Sequence, residues 1–290
     1  MSNEAILISA SYIFSSLFPV PYSPFPIMLL QPPKSQTLHS VVVQLAAAQK
    51  GKIPSTLSRA IHGLVMNWLS LGNSQIAEAI HAGQVSPLSL SGLLGNRRRG
   101  GSQVGDQFYF RIGFLDGSLL EPLLVGMEKW GTQPVVLGQF PFVIRSIYTL
   151  PGTHRLAGSA EYSLLANLPQ IGGDIELDFL SPTSFKQKNT IQPFPLPELV
   201  FGSLQRRWNA FSPEELQLAA VEWQGLVAAY ELKTYALKME GGAEIGSQGW
   251  VRYRFLDATQ RKLATTLAHF AFFAGVGRKT AMGMGQVVRR

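Results

Sequence analysis

Five histidines stand in this chain of 290 residues: His39, His62, His81, His154 and His269. No pair has the His-x3-His spacing of a metal-binding helix, and cysteine is absent, so a thiolate-ligated zinc site and a disulfide framework are both ruled out. Few carboxylates lie near the histidines, Glu78 beside His81 being the main exception, and this disfavours a metal site. Neither a Gly-x-Ser-x-Gly elbow nor the paired acids of a two-metal nuclease appears. What remains is imidazole acting as acid and base without a metal. RNA suits that chemistry because it supplies its own nucleophile, the 2′-hydroxyl. One imidazole can take that proton, a second group can protonate the departing 5′ oxygen, and a nearby arginine can offset charge on the phosphorane-like transition state. Arg59, His62 and His81 fall within one helix–loop–helix stretch, close enough in the chain to share a site. Arg59 and His62 are three residues apart, so on a helix they point the same way, beside the apolar stripe. The plain alternative for any one of them is a structural or exposed side chain. His39 in a strand and His269 in an apolar helix are read that way, and His154 in a linker is given no role.

The second chemical feature is the stretch Gly275-Val-Gly-Arg-Lys-Thr-Ala-Met-Gly-Met-Gly285. Gly275, Gly277, Gly283 and Gly285 bracket the basic pair Arg278 and Lys279. Glycine admits positive φ and close approach of a ligand to the backbone, and successive N–H groups in such a loop can form an anion-binding concavity. An apolar, helix-like run precedes the loop and a strand-like Gln286-Val-Val follows it. A nucleotide-binding turn runs the other way, from strand to helix, and Arg278 breaks the Gly-Lys-Thr of a P-loop. A polymeric phosphate is therefore the better ligand; the alternative is a tight turn with two solvated cations.

The charge balance agrees. The formal net charge is +7 and the isoelectric point about 9.7, which favours an acidic polymer as partner. After Asp257 no acid occurs, while Arg261, Lys262, Arg278, Lys279, Arg289 and Arg290 follow. Residues 5–33 carry no charge and contain prolines at 19, 21, 24, 26, 32 and 33. Those prolines interrupt any membrane-spanning helix, and no basic segment precedes the apolar run, so neither a membrane anchor nor a secretory signal is expected. Residues 1–37 read as an extension outside the domains, with Met28 a candidate start. An intracellular, cytoplasmic setting is compatible with the lack of cysteine.

These features need a scaffold. Leu38–Leu45 reads as a strand from its β-branched run. Pro54 and Ser55 open a helix to about Leu71 with Leu57, Ile61, Leu64, Val65, Trp68 and Leu69 buried. A short helix, Ser74–Ala82, carries His81. Two strands, Gln84–Leu94 and Gln107–Leu115, flank the basic tip Gly95-Asn-Arg-Arg-Arg-Gly-Gly101. A helix over Glu121–Trp130 and a strand or hairpin over Val135–Tyr148 complete an α+β, ferredoxin-like split βαβ order. After a linker at Leu150–Gly158 a second, more loosely written unit follows. Its strands are expected at Asp174–Leu180, Val227–Met239 and Gly249–Phe255. Its helices are expected at Glu198–Phe211, from Ser212-Pro-Glu-Glu, and after Asp257. The expected domains are 38–150 and 151–290.

Taken together, these pieces resemble the CRISPR-associated RNA-processing endoribonucleases of the RAMP superfamily. The resemblance rests on Arg59-Ala-Ile-His62, on Glu78-Ala-Ile-His81 followed by Ser86-Pro-Leu-Ser, and on Leu180-Ser-Pro-Thr-Ser-Phe-Lys186. It rests further on Pro195-Leu-Pro-Glu-Leu-Val-Phe201, on Ser203-Leu-Gln-Arg-Arg-Trp208 and on the closing Phe272-to-Gly285 segment, the superfamily signature. It implies tandem ferredoxin-like (RRM-like) domains. It also implies cofactor-free, metal-independent cleavage of precursor CRISPR RNA within its repeats, leaving a 2′,3′-cyclic phosphate and a 5′-hydroxyl. The product would be retained and passed to an interference complex. By the same resemblance His62 is the leading catalytic base or acid, His81 its partner and Arg59 a phosphate or transition-state contact. Lys186, Arg206, Arg207, Arg278 and Lys279 would touch RNA together with the loop glycines Gly275, Gly277, Gly283 and Gly285. Which histidine is base and which is acid stays open. The rival readings are a subunit that holds repeat RNA without cutting it and a structural assembly protein with a solvated basic face.

Overall fold

The first strand, β1 (Thr37–Ala47), is buried along most of its length. Val41, Val43 and Leu45 enter one core while Val42 enters another on the opposite face. A strand covered on both faces needs the continuous apolar run seen in its sequence. The computed structural model describes residues 35–169, 173–239 and 242–290. The charge-free extension expected before the first strand lies almost wholly outside the described residues.

α1 (Ser58–Gly72) starts three residues later than Pro54-Ser55 suggested, because its N-cap is Leu57 and no side chain caps it. Its buried face still holds Ile61, Leu64, Val65, Trp68 and Leu69. α2 (Ser74–Ala82) follows at once, capped by Asn73, whose side chain accepts from the Ile76 N–H at 3.3 Å. β2 (Leu88–Leu90) is shorter than expected, lying between Pro87 and Gly92, which end regular pairing. Then come β3 (Gln107–Phe114), α3 (Leu120–Trp130), β4 (Val135–Leu137) and β5 (Phe140–Tyr148). The sheet order is β2-β3-β1-β5-β4. Its core order, β2-β3-β1-β5, is the ferredoxin-like arrangement.

The connection to the second lobe is structured. β6 (Gly158–Glu161) returns to pair antiparallel with Thr37–Ser40 of β1, and α4 (Tyr162–Ala166) follows it. The second lobe comprises β7 (Ile175–Thr183), the β8 (Phe185–Gln187) and β9 (Thr190–Gln192) hairpin, α5 (Pro197–Phe211), β10 (Gly225–Met239), β11 (Gly242–Phe255), α6 (Ala258–Ala274) and β12 (Val287–Arg289). Its sheet order β10-β11-β7-β12 repeats the first topology. The helix expected from Ser212-Pro-Glu-Glu is only a 3-10 turn at Glu214–Leu216. Side chains of α5 capture the following backbone: the Trp208 indole donates to Leu216 O at 2.7 Å, and Asn209 bonds both the N–H and the carbonyl of Leu218. These bonds hold the segment extended and displace a helical ladder. The described residues form one compact unit.

α1 and α3 cross at very short range on one face of the first sheet. A Cβ at Gly72 would stand 1.9 Å from Pro122 O, and one at Gly126 would stand 1.7 Å from Trp68 O. No side chain fits at these two positions, and Trp68 of α1 stacks on Phe110 of β3 with centroids 6.2 Å apart. Gly126→Ala is therefore expected to lower stability by about 1–3 kcal/mol through overpacking against backbone. Gly63→Ala, on the open face of α1 with nothing within 4 Å of its Cβ, should raise stability by about 0.5–1 kcal/mol. Paired denaturant titrations check both signs.

Candidate functional site

α1 presents Arg59 exposed and His62 half-buried on neighbouring turns. α2 ends with His81, exposed in its last turn. The two histidines lie near enough for one to act electrostatically on the other. Burial lowers the pKa of His62 below 6.5, and the charge on His81 lowers it further. A lowered pKa favours the neutral imidazole, the form that can accept a proton.

The glycine-rich segment lies against this region. From the end of α6 the chain makes a 3-10 turn at Thr280–Met282, and Ala281 packs on the first-lobe core. Gly283 forms an isolated bridge with Ser91, next to β2, and faces Ser58 in the first turn of α1. With φ of +90° and Ser58 Oγ only 2.3 Å from a hypothetical Cβ, this position admits only glycine. Much of the loop backbone is bonded internally. Val276 N–H donates to Gly285 O, Arg278 N–H to Ser184 O and Gly285 N–H to Pro182 O, while Gly277 N–H donates to Ser203 Oγ. Gly275 caps α6 in a positive-φ conformation. These N–H groups shape the loop, so its contribution to an anion falls chiefly to side chains.

Of those side chains, Arg278 and Lys279 both pair with the carboxylate of Glu244 on β11, at 2.9 and 2.7 Å. Burial would raise the Glu244 pKa, but hydrogen bonds from Lys279 and Ser184 and the charges of both cations outweigh it, and the net shift is downward. Two cations on one carboxylate leave the loop net positive. Arg207 faces inward from α5. Its guanidinium donates to Thr280 Oγ1 and to the carbonyls of Ser86 and Leu88, both at 3.2 Å. Burial pushes its pKa down to about 10, and it stays charged at neutral pH. It thus ties the loop to the segment between α2 and β2. Arg206 is exposed and has no hydrogen-bond partner among the described residues. Lys186 is exposed on β8, whose neighbour Phe185 packs beneath the loop.

Other cations are engaged elsewhere. In the basic tip, Arg97 donates to Pro54 O at 2.8 Å, just before α1, and Arg98 pairs with Asp106 at 2.9 Å. Arg252 and Arg254, two residues apart on β11, pair with Glu176 of β7 and with Asp174 just before it. Sequence reasoning missed a second basic feature. An open pocket of about 430 Å³ is lined by Arg155, His269, Phe272, Arg289 and Arg290. Arg289 donates to His269 Nε2, and burial, then Arg289, lowers the His269 pKa. The acid-free tail after Asp257 was the available signal. Among the described residues no cluster of His, Asp and Glu forms a metal-ligand set, and no helix is long and apolar enough to cross a membrane.

Two ferredoxin-like lobes, with a glycine-rich turn from the second seated on the first helix of the first, make up the fold. A family model described as "CRISPR-associated endoribonuclease Cas6" matches residues 177–287, most of the second lobe. The solved Cas6 (TTHB231) product complex, of a Thermus thermophilus protein, superposes with a TM-score of 0.75 at 26% identity, covering 88% of this chain and 100% of that one. A product complex of a second Cas6, TTHA0078, gives 0.70 at 27% identity over 88% and 99%. Its substrate mimic complex gives 0.66 at 27% identity over 88% and 100%. A RAMP protein described as binding different RNA substrates, 15% identical with a TM-score of 0.58 over 87% and 99%, shares the fold. No curated protein sequence matches the chain. The chain is thus similar in fold to the Cas6 endoribonucleases, and over its second lobe it matches their family model.

The histidine geometry gives a direct expectation. In an NMR titration His62 should titrate below 6.5, and His81→Ala should move it back toward 6.5 without reaching it, because burial persists. By linkage, acidification from 6.5 through the lowered value favours the unfolded chain, so stability falls over that window. A His62 value at or above 6.5 would contradict the arrangement.

Proposed function

We propose that this chain is an endoribonuclease that matures CRISPR guide RNAs by cutting precursor RNA within its repeats, without a metal or other cofactor. The observation that carries this reading is the half-buried imidazole of His62, its pKa lowered by burial and then by His81, at a lobe junction shaped by the glycine-rich turn. The kinship with Cas6 proteins solved with RNA product or substrate mimic supports it. In this reading His62 takes the proton of the 2′-hydroxyl next to the scissile phosphate. The 2′ oxygen attacks phosphorus, the bond from phosphorus to the 5′ oxygen breaks, and His81 gives that oxygen a proton. The products are a 2′,3′-cyclic phosphate and a 5′-hydroxyl. Arg59 offsets charge on the phosphorane-like transition state.

Residues 38–150 would be the catalytic domain, residues 151–290 the domain that grips the RNA, and residues 1–37 an extension. Arg206 and Lys186 would meet phosphates directly, and Arg278 and Lys279 would exchange part of their contact with Glu244 for RNA. Arg207 would act from behind, holding Thr280 and the loop in place along with Gly275, Gly277, Gly283 and Gly285. The Arg155–Arg289–Arg290 pocket offers a further cationic surface along the strand. The mature RNA would pass, in the cytoplasm, to subunits of an interference complex.

A single-turnover cleavage assay on repeat RNA in EDTA tests this reading. Cleavage should persist under chelation, and His62→Ala should slow it by about 10²–10⁴-fold while keeping affinity. Arg206→Ala should weaken binding and reduce the salt slope of affinity by about one. Loss of activity on chelation, or a full rate in His62→Ala, would refute the mechanism.

A further inference from the structure

β3 carries Arg111 between Phe110 and Ile112, whose side chains enter the helix-covered core. By strand alternation Arg111 points to the other face of the sheet, toward the second lobe. It is 1% exposed. Its guanidinium carbon lies 4.9 Å from the centroid of the Phe272 ring. Its Nε, Nη1 and Nη2 hydrogen-bond to no described residue. Burial pushes its pKa down to about 10, which leaves it cationic at neutral pH. A ring face offsets only part of the desolvation of a guanidinium, and buried charges are ordinarily paired.

The same side chain lines an enclosed cavity with Ser91, Ser181 and Gln286, walled by Leu94, Leu156 and Leu180, and no carboxylate lines it. The free space is about 20 Å³, room for one water-sized occupant and too little for phosphate or sulfate. The polar side chains are fixed. Ser91 Oγ accepts from the backbone N–H of Arg111 at 2.8 Å, the backbone N–H of Gln286 donates to Ser181 Oγ at 2.9 Å, and Gln286 Nε2 donates to Leu90 O at 3.0 Å.

We propose that this cavity binds a single monoatomic anion, chloride in ordinary solution, held by the Arg111 guanidinium between the two lobes. A water molecule can fill the space, but it cannot neutralise the charge. The site draws on β3, on the residue after β2, on β7 and on Gln286 at the end of the glycine-rich loop. Occupancy therefore fastens that loop to the first sheet, independently of any RNA.

The test is thermal unfolding of the full chain at constant ionic strength while gluconate is replaced by chloride. The Tm should rise by about 3 °C at a tenfold excess over Kd. Arg111→Met, similar in volume but uncharged, should remove that rise; a flat wild-type titration, or an undiminished rise in the variant, overturns the proposal. Crystals grown in bromide decide it if the variant does not fold. An anomalous peak within hydrogen-bond reach of the guanidinium supports the site, and a water or nothing there overturns it.

Discussion

The junction between the lobes depends on one close approach. Gly283 lies where a Cβ would stand 2.3 Å from Ser58 Oγ, so the turn can rest on the first helical turn of α1 only with a bare backbone. Arg207 braces that turn from α5, and Glu244 holds its two cations from β11. The helix that carries Arg59 and His62 is thereby referenced to the second lobe. Further contacts reinforce the same junction: Ser89 Oγ donates to Phe273 O at 2.6 Å, and Gln286 reaches Leu90. The proposed acid–base pair on α1 and α2 would need such a fixed frame if cations from the other lobe are to meet one RNA strand.

The net charge of +7 is not a uniform cationic coat. Three acids on or just before β7, Asp174, Glu176 and Asp178, pair with Arg254, Arg252 and Arg290, which mutes the open face of the second sheet. Arg111 and the Arg207 guanidinium are enclosed. Among the cations outside these pairings are Arg206 and Lys186, exposed around the loop, and the Arg155–Arg289 edge. Where cations are bound by the fold, charge counted from composition overstates what a polyanion can reach.

Much of this was legible in the residues. The β-branched run of β1, the apolar stripe of α1 and the Asp257 cap, whose side chain accepts from Gln260 N–H at 2.7 Å, are local signals and appear where expected. The ferredoxin-like order follows from them. The misses are tertiary. Ser212-Pro-Glu-Glu carries a helix-start pattern, but α5 side chains take up the backbone that follows. β6 has no strong strand signature, and its pairing with Thr37–Ser40 is a long-range event. Arg206 and Arg207 are adjacent and look equivalent, yet helical rotation turns one to solvent and the other to Thr280. In the same way Arg111 sits in a sequence of strand-formers that does not reveal which lobe will cover it.

The central claim is that the strand's own hydroxyl makes the cut, prompted by His62. The most direct measurement is cleavage of a repeat RNA in which the single ribose 5′ to the scissile phosphate is replaced by 2′-deoxyribose. The account predicts unchanged binding, no cleavage at that position, and a 2′,3′-cyclic phosphate end on the unmodified control. Cleavage of the deoxy-substituted strand at the same bond would contradict it.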